Sequence, residues 1–195
     1  MVHSNLPLAT TPKVEKVHLA LQRALIDLVL ENGYDQVTIQ AIVKRAQVSR
    51  STFYGYFNCK EDLLEAAIMR LHRATEMHWK HSLSRGTRQG ELAFLRPLIY
   101  HLHESRKLWQ ELRNSSARAS LIAGFKFMIG DLVAKDQAFE PPLSASQEAA
   151  ISCVTGAFLE LMDRWLRGAL LGTKEEIALQ FESAAKAVSR TSRAT

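Results

Sequence analysis

Residues 38–60 read TIQAIVKRAQVSRSTFYGYFNCK, and their spacing predicts two short helices joined by a tight turn. Thr38 suits the cap of the first, because its hydroxyl can accept from an orphan amide of the opening turn. Ile39, Ile42, Val43 and Ala46 follow at i, i+3, i+4 and i+7, the spacing of one apolar helix face. Gln47 and Val48 make the turn, and Ser49 caps the second helix. On that helix Phe53 and Phe57 lie four residues apart and share a face, so with Val48 they can dock onto the first. Arg50, Ser51, Thr52, Tyr54 and Tyr56 are left pointing elsewhere. A short helix anchored by two aromatics, with a guanidinium and several hydroxyls outward, suits a helix-turn-helix reader of the DNA major groove. Arginine can fork onto guanine, and hydroxyls and tyrosines can reach bases or phosphates.

The charge pattern agrees. Between Gln36 and Lys60 stand Lys44, Arg45, Arg50 and Lys60 with no Asp or Glu. A duplex is a dense polyanion whose phosphates supply most of the sequence-independent affinity. A surface hairpin that touches nothing would have no need of exposed tyrosines and hydroxyls beside an acid-free basic stripe.

The run TIQAIVKRAQVSRSTFYGYFNCKEDLL resembles the DNA-binding signature of TetR-family transcriptional regulators, in order from about Val14 to Leu71. Its most specific part is the F-Y-x-Y-F-x-x-K-E-D-L-L spacing. The resemblance implies that Thr38 and Lys60 clamp phosphates at the two ends of the motif. It places Arg50, Ser51 and Thr52 in the groove and Tyr54 and Tyr56 on backbone or base edges. Three positions depart from the family pattern. Gln47 stands where Gly is common and would cost on the order of 1 kcal/mol in a left-handed turn. Gly55 replaces a larger side chain that often contacts DNA. Cys59 replaces the usual Ser or Thr cap of the next helix, leaving Asn58 to cap it.

Working outward, residues 1–12 hold two prolines and no periodicity and are expected to be a flexible arm. Val14, Val17, Leu21, Leu25 and Leu28 form the stripe of a first helix, closed by Gly33. It would hold the helix-turn-helix from behind, so residues 13–60 are expected to form a three-helix DNA-binding domain. His18 on it is expected to be solvated rather than bound to phosphate. Leu63, Leu64, Ala67, Ile68 and Leu71 then repeat at helical spacing, making 61–83 a connecting helix. Glu61 and Asp62 suit its first turn, and Lys60 can point outward to a phosphate. The polar segment from Ser84 to Gly90 is the expected domain boundary.

Residues 84–195 are expected to be helical and to form a regulatory and dimerisation domain. Pro97 falls within the stripe Leu92, Leu95, Leu98, Ile99 and Leu102, so a kink is expected there. Shorter stripes run through Leu108, Trp109 and Leu112, and through Leu121, Phe125, Met128, Ile129 and Leu132. Ser144-x-x-Gln147 and Thr173-x-x-Glu176 are capping boxes opening the last two helices, the first of which Gly172 would end. No segment alternates apolar and polar residues as a strand does. The fold class is all-α, with about nine helices.

Two capped amphipathic helices at the end of such a chain can build a four-helix interface with a second copy. The resemblance implies the same homodimer, which would set two readers about 34–36 Å apart on a pseudo-palindromic operator in double-stranded DNA. It also implies an apolar effector pocket among the middle helices. Trp109, Phe125, Met128, Phe158, Met162 and Trp165 are its candidate lining, although aromatics and Met at helical spacing serve equally as plain core.

Composition bounds the remaining classes. A 47% hydrophobic content supports a real core, and a net charge of +5 fits an anionic partner. Cys59 and Cys153 lie too far apart for a thiolate zinc site or a disulfide framework, which fits a reducing cytosol. No apolar run approaches the roughly 20 residues that span a bilayer. A cytoplasmic protein with no membrane partner is expected. His101-x-His103 and His78-x-x-His81 lack completing ligands, so no metal is expected. With no nucleophile elbow, P-loop, dinucleotide fingerprint or H-E-x-x-H pair, neither an enzyme nor a cofactor is expected. The expected function is a dimeric DNA-binding regulator, a repressor released by a small apolar or amphipathic effector. The alternative is a TetR-like co-regulator acting through another protein, motivated by Gln47 and Gly55.

Overall fold

A computed structural model describes residues 12–84 and 92–191. Residues 1–11, most of the expected arm, and 85–91, most of the expected boundary loop, lie outside the described residues. Among the described residues there are nine α-helices and no strand: α1 (Pro12–Asn32), α2 (Ile39–Ala46), α3 (Arg50–Tyr54), α4 (Lys60–Ser84), α5 (Leu95–Glu104), α6 (Arg106–Arg113), α7 (Arg118–Asp136), α8 (Ala145–Leu166) and α9 (Lys174–Thr191), with one 3-10 turn at Tyr34–Gln36.

The starts of these helices follow local chemistry. Thr38 Oγ1 accepts from the Ala41 amide at 3.2 Å and Ser49 Oγ from the Thr52 amide at 3.0 Å, so both caps form as their sequence suggests. Ser144 and Gln147 make the full reciprocal box that opens α8. Thr173 and Glu176 do the same for α9, at 3.2 and 2.9 Å. The cap of α4 differs from expectation. Asn58 does not accept from the helix; its backbone and side-chain amides both donate to Asp62 Oδ2 at 2.9 Å. An acid three residues into the helix therefore closes this end, while the Cys59 thiol, donating to Asp62 Oδ1 at 3.2 Å, leans on it.

Helix ends show two further corrections. Pro97 makes no mid-helix break, because α5 starts only at Leu95 and the proline sits in the first turn, where a missing amide costs nothing. Gly172 does not end α8. That helix stops at Leu166, and Gly168, at φ +79°, turns the chain earlier. Gly33 does close α1 with a positive φ of 77°.

Gln47 occupies the left-handed region at φ 56° and ψ 40°, ending α2. A side chain there crowds the following carbonyl at a cost of about 1–2 kcal/mol, against about 0.5–1 kcal/mol of extra chain entropy lost by glycine. Gln47 is exposed. Gln47→Gly is therefore expected to raise stability by about 0.5–1 kcal/mol, read as a higher urea midpoint at unchanged slope.

Packing joins these helices into one continuous buried cluster, from Leu21 and Phe53 at the N-terminal end to Ile177 and Phe181 near the other. α1 packs on α2, α4 and α6; α7 bridges α4 and α8; α9 closes on α5 and α8. Arg96 of α5 forks onto the buried Glu182 of α9 at 2.8 and 3.0 Å. Arg113 of α6 forks onto Asp163 of α8. The side chains of Arg106 and Gln110 both donate to the Leu166 carbonyl, taking up an orphan acceptor at the end of α8. None of the described helices is long and apolar enough to cross a membrane.

Candidate nucleic-acid interface and the cavity beside it

α3 ends at Tyr54, so Phe57, expected on the same helix, lies beyond its end. Phe53 is fully buried and Phe57 nearly so, with ring centres 5.8 Å apart, and they hold the helix down. Arg50 and Ser51 are exposed and Thr52 half-buried, while Tyr54 and Tyr56 expose 54% and 42% of their surfaces. Those two values decide the orientation: phenols with so much free surface are not core residues. Ser49 Oγ lies 2.8 Å from both Ser51 Oγ and Thr52 Oγ1, so the three hydroxyls form a cluster at the N-terminus of α3. Gly55 has an ordinary right-handed backbone, and a Cβ there would meet only the Ser51 and Thr52 carbonyls, at 3.3 and 3.5 Å. Glycine at this position is therefore a missing side chain and not a backbone requirement.

The flanking positions behave differently. Thr38 is exposed, spends its oxygen on the α2 cap and keeps its proton free. Lys60 does not point outward as the sequence suggested. Its Nζ donates to the Tyr34 and Val37 carbonyls at 2.9 and 3.1 Å and lies 4.3 Å from the centre of the Tyr34 ring. The Tyr34 carbonyl already accepts from the Val37 amide at 3.1 Å, so the ammonium takes its second lone pair and bridges it to the Val37 carbonyl. One of its three protons remains for a phosphate. Arg45 is also partly committed, gripping Glu31 of α1 at 2.7 and 2.9 Å. The basic stripe is free of acids along the chain but acquires one through space.

Behind this surface α1 contributes a group that sequence reading left in solvent. The His18 ring stands edge-on to Tyr56 at 4.8 Å and tilted against Phe57 at 5.1 Å. Its Nε2 is buried without a hydrogen-bond partner. Burial, with a smaller contribution from nearby Arg73, lowers its pKa below the ordinary imidazole value. In the unfolded chain His18 takes a proton as pH falls through about 6.5, while the folded form resists. Stability from this site is complete above about pH 6.5 and is lost as pH falls toward the depressed folded value. His18→Phe is expected to flatten that part of the melting temperature–pH curve; an unchanged slope would place the imidazole in water.

Residues 23–67 match the family model described as bacterial regulatory proteins, tetR family. That segment contains the capped α2, the left-handed Gln47, all of α3 and the Asp62-closed start of α4. The chain carries a TetR-family DNA-binding domain. Among curated relatives, the HTH-type transcriptional regulator YdeS of Bacillus subtilis is 43% identical over 49 residues, 25% of this chain and 25% of YdeS. The chain thus spans about a quarter of the length of such relatives. Two solved structures extend the likeness in fold alone. One, assigned to the TetR family and from Syntrophomonas wolfei, is 15% identical with a TM-score of 0.68, covering 90% of this chain and 95% of that one. The other is the repressor FadR of Thermus thermophilus in complex with lauroyl-CoA: 22% identical, TM-score 0.56, 88% and 92% covered.

Around the TetR-type domain, two structures link reader and C-terminal half. Ser116, between α6 and α7, donates from its amide and hydroxyl to Asp35 Oδ1 at 3.1 and 2.5 Å. Next to it Tyr34 donates to Glu61 Oε1 at 2.9 Å. Burial and the Glu61 carboxylate push the Tyr34 phenol far up, so it stays protonated and acts as donor. The second link is a cavity of about 420 Å³ between α1, α4, α5, α6 and α7. Trp109 and Phe125 line it, their rings edge-to-face at 5.2 Å. Met128, Phe158, Met162 and Trp165, the other candidates from the sequence, do not line this cavity. They are buried: Phe158 meets Phe181 of α9 edge-to-face at 5.5 Å, and the Trp165 indole donates to the Gly172 carbonyl at 2.9 Å.

Two groups bear on metal and thiol chemistry. His72, Glu76 and Asp131 bring three possible ligand atoms within 4.8 Å of one another. His72 Nε2 meets Asp131 at 2.8 Å, Lys135 contacts both carboxylates at 2.7 and 3.0 Å, and Lys80 contacts Glu76 at 2.7 Å. Two ammonium groups already neutralise the two acids, so the cluster works as an ion network tying α4 to α7. Burial first, and then the neighbouring acids, push the Cys59 thiol up to about 11, which leaves it a poor nucleophile at neutral pH.

Proposed function

We propose that this chain is a dimeric TetR-type transcriptional regulator, a repressor released from its operator by a small apolar or amphipathic effector. Residues 13–60 read DNA, 61–83 connect, and 84–195 sense the effector and dimerise. The observation that carries the reading is the outward face of α3. Arg50, Ser51 and Tyr54 of α3, with Tyr56 in the turn after it, are exposed on one side, while Phe53 and, beyond the helix, Phe57 anchor the other.

An effector between α1 and α4 touches the two helices on which that reader stands. It can shift DNA binding only by preferring one arrangement of them. The complex of FadR with lauroyl-CoA supports an amphipathic effector and a repressor role by likeness of fold. Dimerisation through α8 and α9 is supported by their outward faces. There Cys153, Gly156 and Ala157 of α8 and Leu179 and Val188 of α9 are exposed, small or apolar residues that suit close helix approach.

Sequencing of genomic fragments captured by the purified protein tests this. The expected result is one pseudo-palindromic motif with half-sites about one helical turn apart, bound with a steep loss of affinity as salt rises. Retention of no duplex by the protein alone would overturn it, and a requirement for a second protein would favour the co-regulator.

A further inference from the structure

We propose that the cavity takes an amphiphile with an anionic head, a carboxylate or a phosphate monoester, seated at Arg70 and His101 with its tail in the apolar interior. This rests on the cavity being the effector site and names the chemistry it selects.

The lining divides sharply by polarity. Arg70, His101 and Ser105 are its only residues with strongly polar side chains, and none of its residues is acidic. Arg70 and His101 are exposed, whereas Trp109, Phe125 and Leu121 are buried. The polar groups therefore mark the mouth, and what lies behind them is hydrocarbon and aromatic ring.

Arg70 is also without a counter-ion. Among the described residues its side chain and that of His101 make no hydrogen bond or ion pair. The structure pairs Arg45, Arg96 and Arg113 with carboxylates. On its own helix the positions three and four away from Arg70 hold Ala66, Ala67, Arg73 and Ala74, so no local acid can neutralise it. A cationic head would be repelled at this mouth, and a neutral one would leave a guanidinium fork unused. An anion can accept two parallel N–H bonds from Arg70 and another from an imidazole N–H of His101.

Size sets the tail. A volume of about 420 Å³ equals roughly 14 water volumes, which suits a ligand of about a dozen non-hydrogen atoms.

Calorimetric titration of the full chain with decanoate, decyl phosphate, decanol and decyltrimethylammonium tests this, the first two distinguishing the carboxylate from the phosphate source. At least one anion is expected to bind roughly ten-fold or more tightly than decanol, and the cation most weakly. Arg70→Met, a surface change, is expected to bring the anions to within about two-fold of decanol while decanol binding persists. Equal binding of decanol and both anions, or an anion preference that survives Arg70→Met, would overturn the proposal. If decanol binds as well as the anions and the cavity-filling Leu121→Trp abolishes it, the effector site stands and only the anionic head is wrong. If no probe binds, both readings fall.

Discussion

Arg50→Ala is expected to lower affinity for the operator by roughly 5- to 150-fold, the 1–3 kcal/mol that a forked base contact contributes. The melting temperature should not change, because Arg50 is exposed and holds nothing in the fold. Competition between the operator and single-base variants, followed by fluorescence anisotropy, would show specificity relaxing at one position of each half-site. A loss that is uniform across all sequences would instead put Arg50 on a phosphate. Lys60→Met supplies the contrast. Its ammonium serves the Tyr34 and Val37 carbonyls, so the main effect is a stability loss of about 1–3 kcal/mol with the salt slope kept. A slope shallower by about one would place the ammonium on DNA after all.

Phe158→Ala is expected to be among the most destabilising single changes in the chain, at about 3–5 kcal/mol. The side chain is completely buried, packs on Phe181 across α8 and α9, and does not face the cavity. Its removal leaves a void that neighbouring helices can only partly fill. The urea midpoint should fall accordingly, while effector affinity, measured well below the midpoint, stays within about two-fold. A loss under about 1 kcal/mol would mean that Phe158 borders open space, as the sequence had suggested.

The two variants probe positions that differ in how far the sequence reveals them. The orientation of Arg50 is legible because it depends on a neighbour within one turn: Phe53 must point inward, which turns Arg50 and Tyr54 outward. Gln47 is legible for a similar reason, since a turn between two short helices calls for a left-handed residue. Phe158 is not legible. It shares helical spacing with Val154, Met162 and Trp165, and every member of such a stripe is buried against something. Trp109 and Phe125 look the same in the sequence, yet they border the cavity.

The partners of Lys60 and Arg45 are not legible in the sequence, for an electrostatic reason. Their partners come from residues 34, 37 and 31, outside the local run, so no spacing rule announces them. His18 is a variant of the same problem. One histidine on an otherwise ordinary helix gives no sign that two aromatics from the far end of the motif will close over it.

The sequence by itself determined the all-α class, the caps that open α2, α3, α8 and α9, and the outward face of α3. Each is written in contacts no more than four residues apart. Tertiary structure alone decided which aromatics border a void and which are solid core, where Lys60 and Arg45 spend their charge, and how Ser116 joins Asp35. These depend on surfaces as far apart in the chain as Leu25 and Phe125, and helical periodicity carries no information about which stripe will meet which.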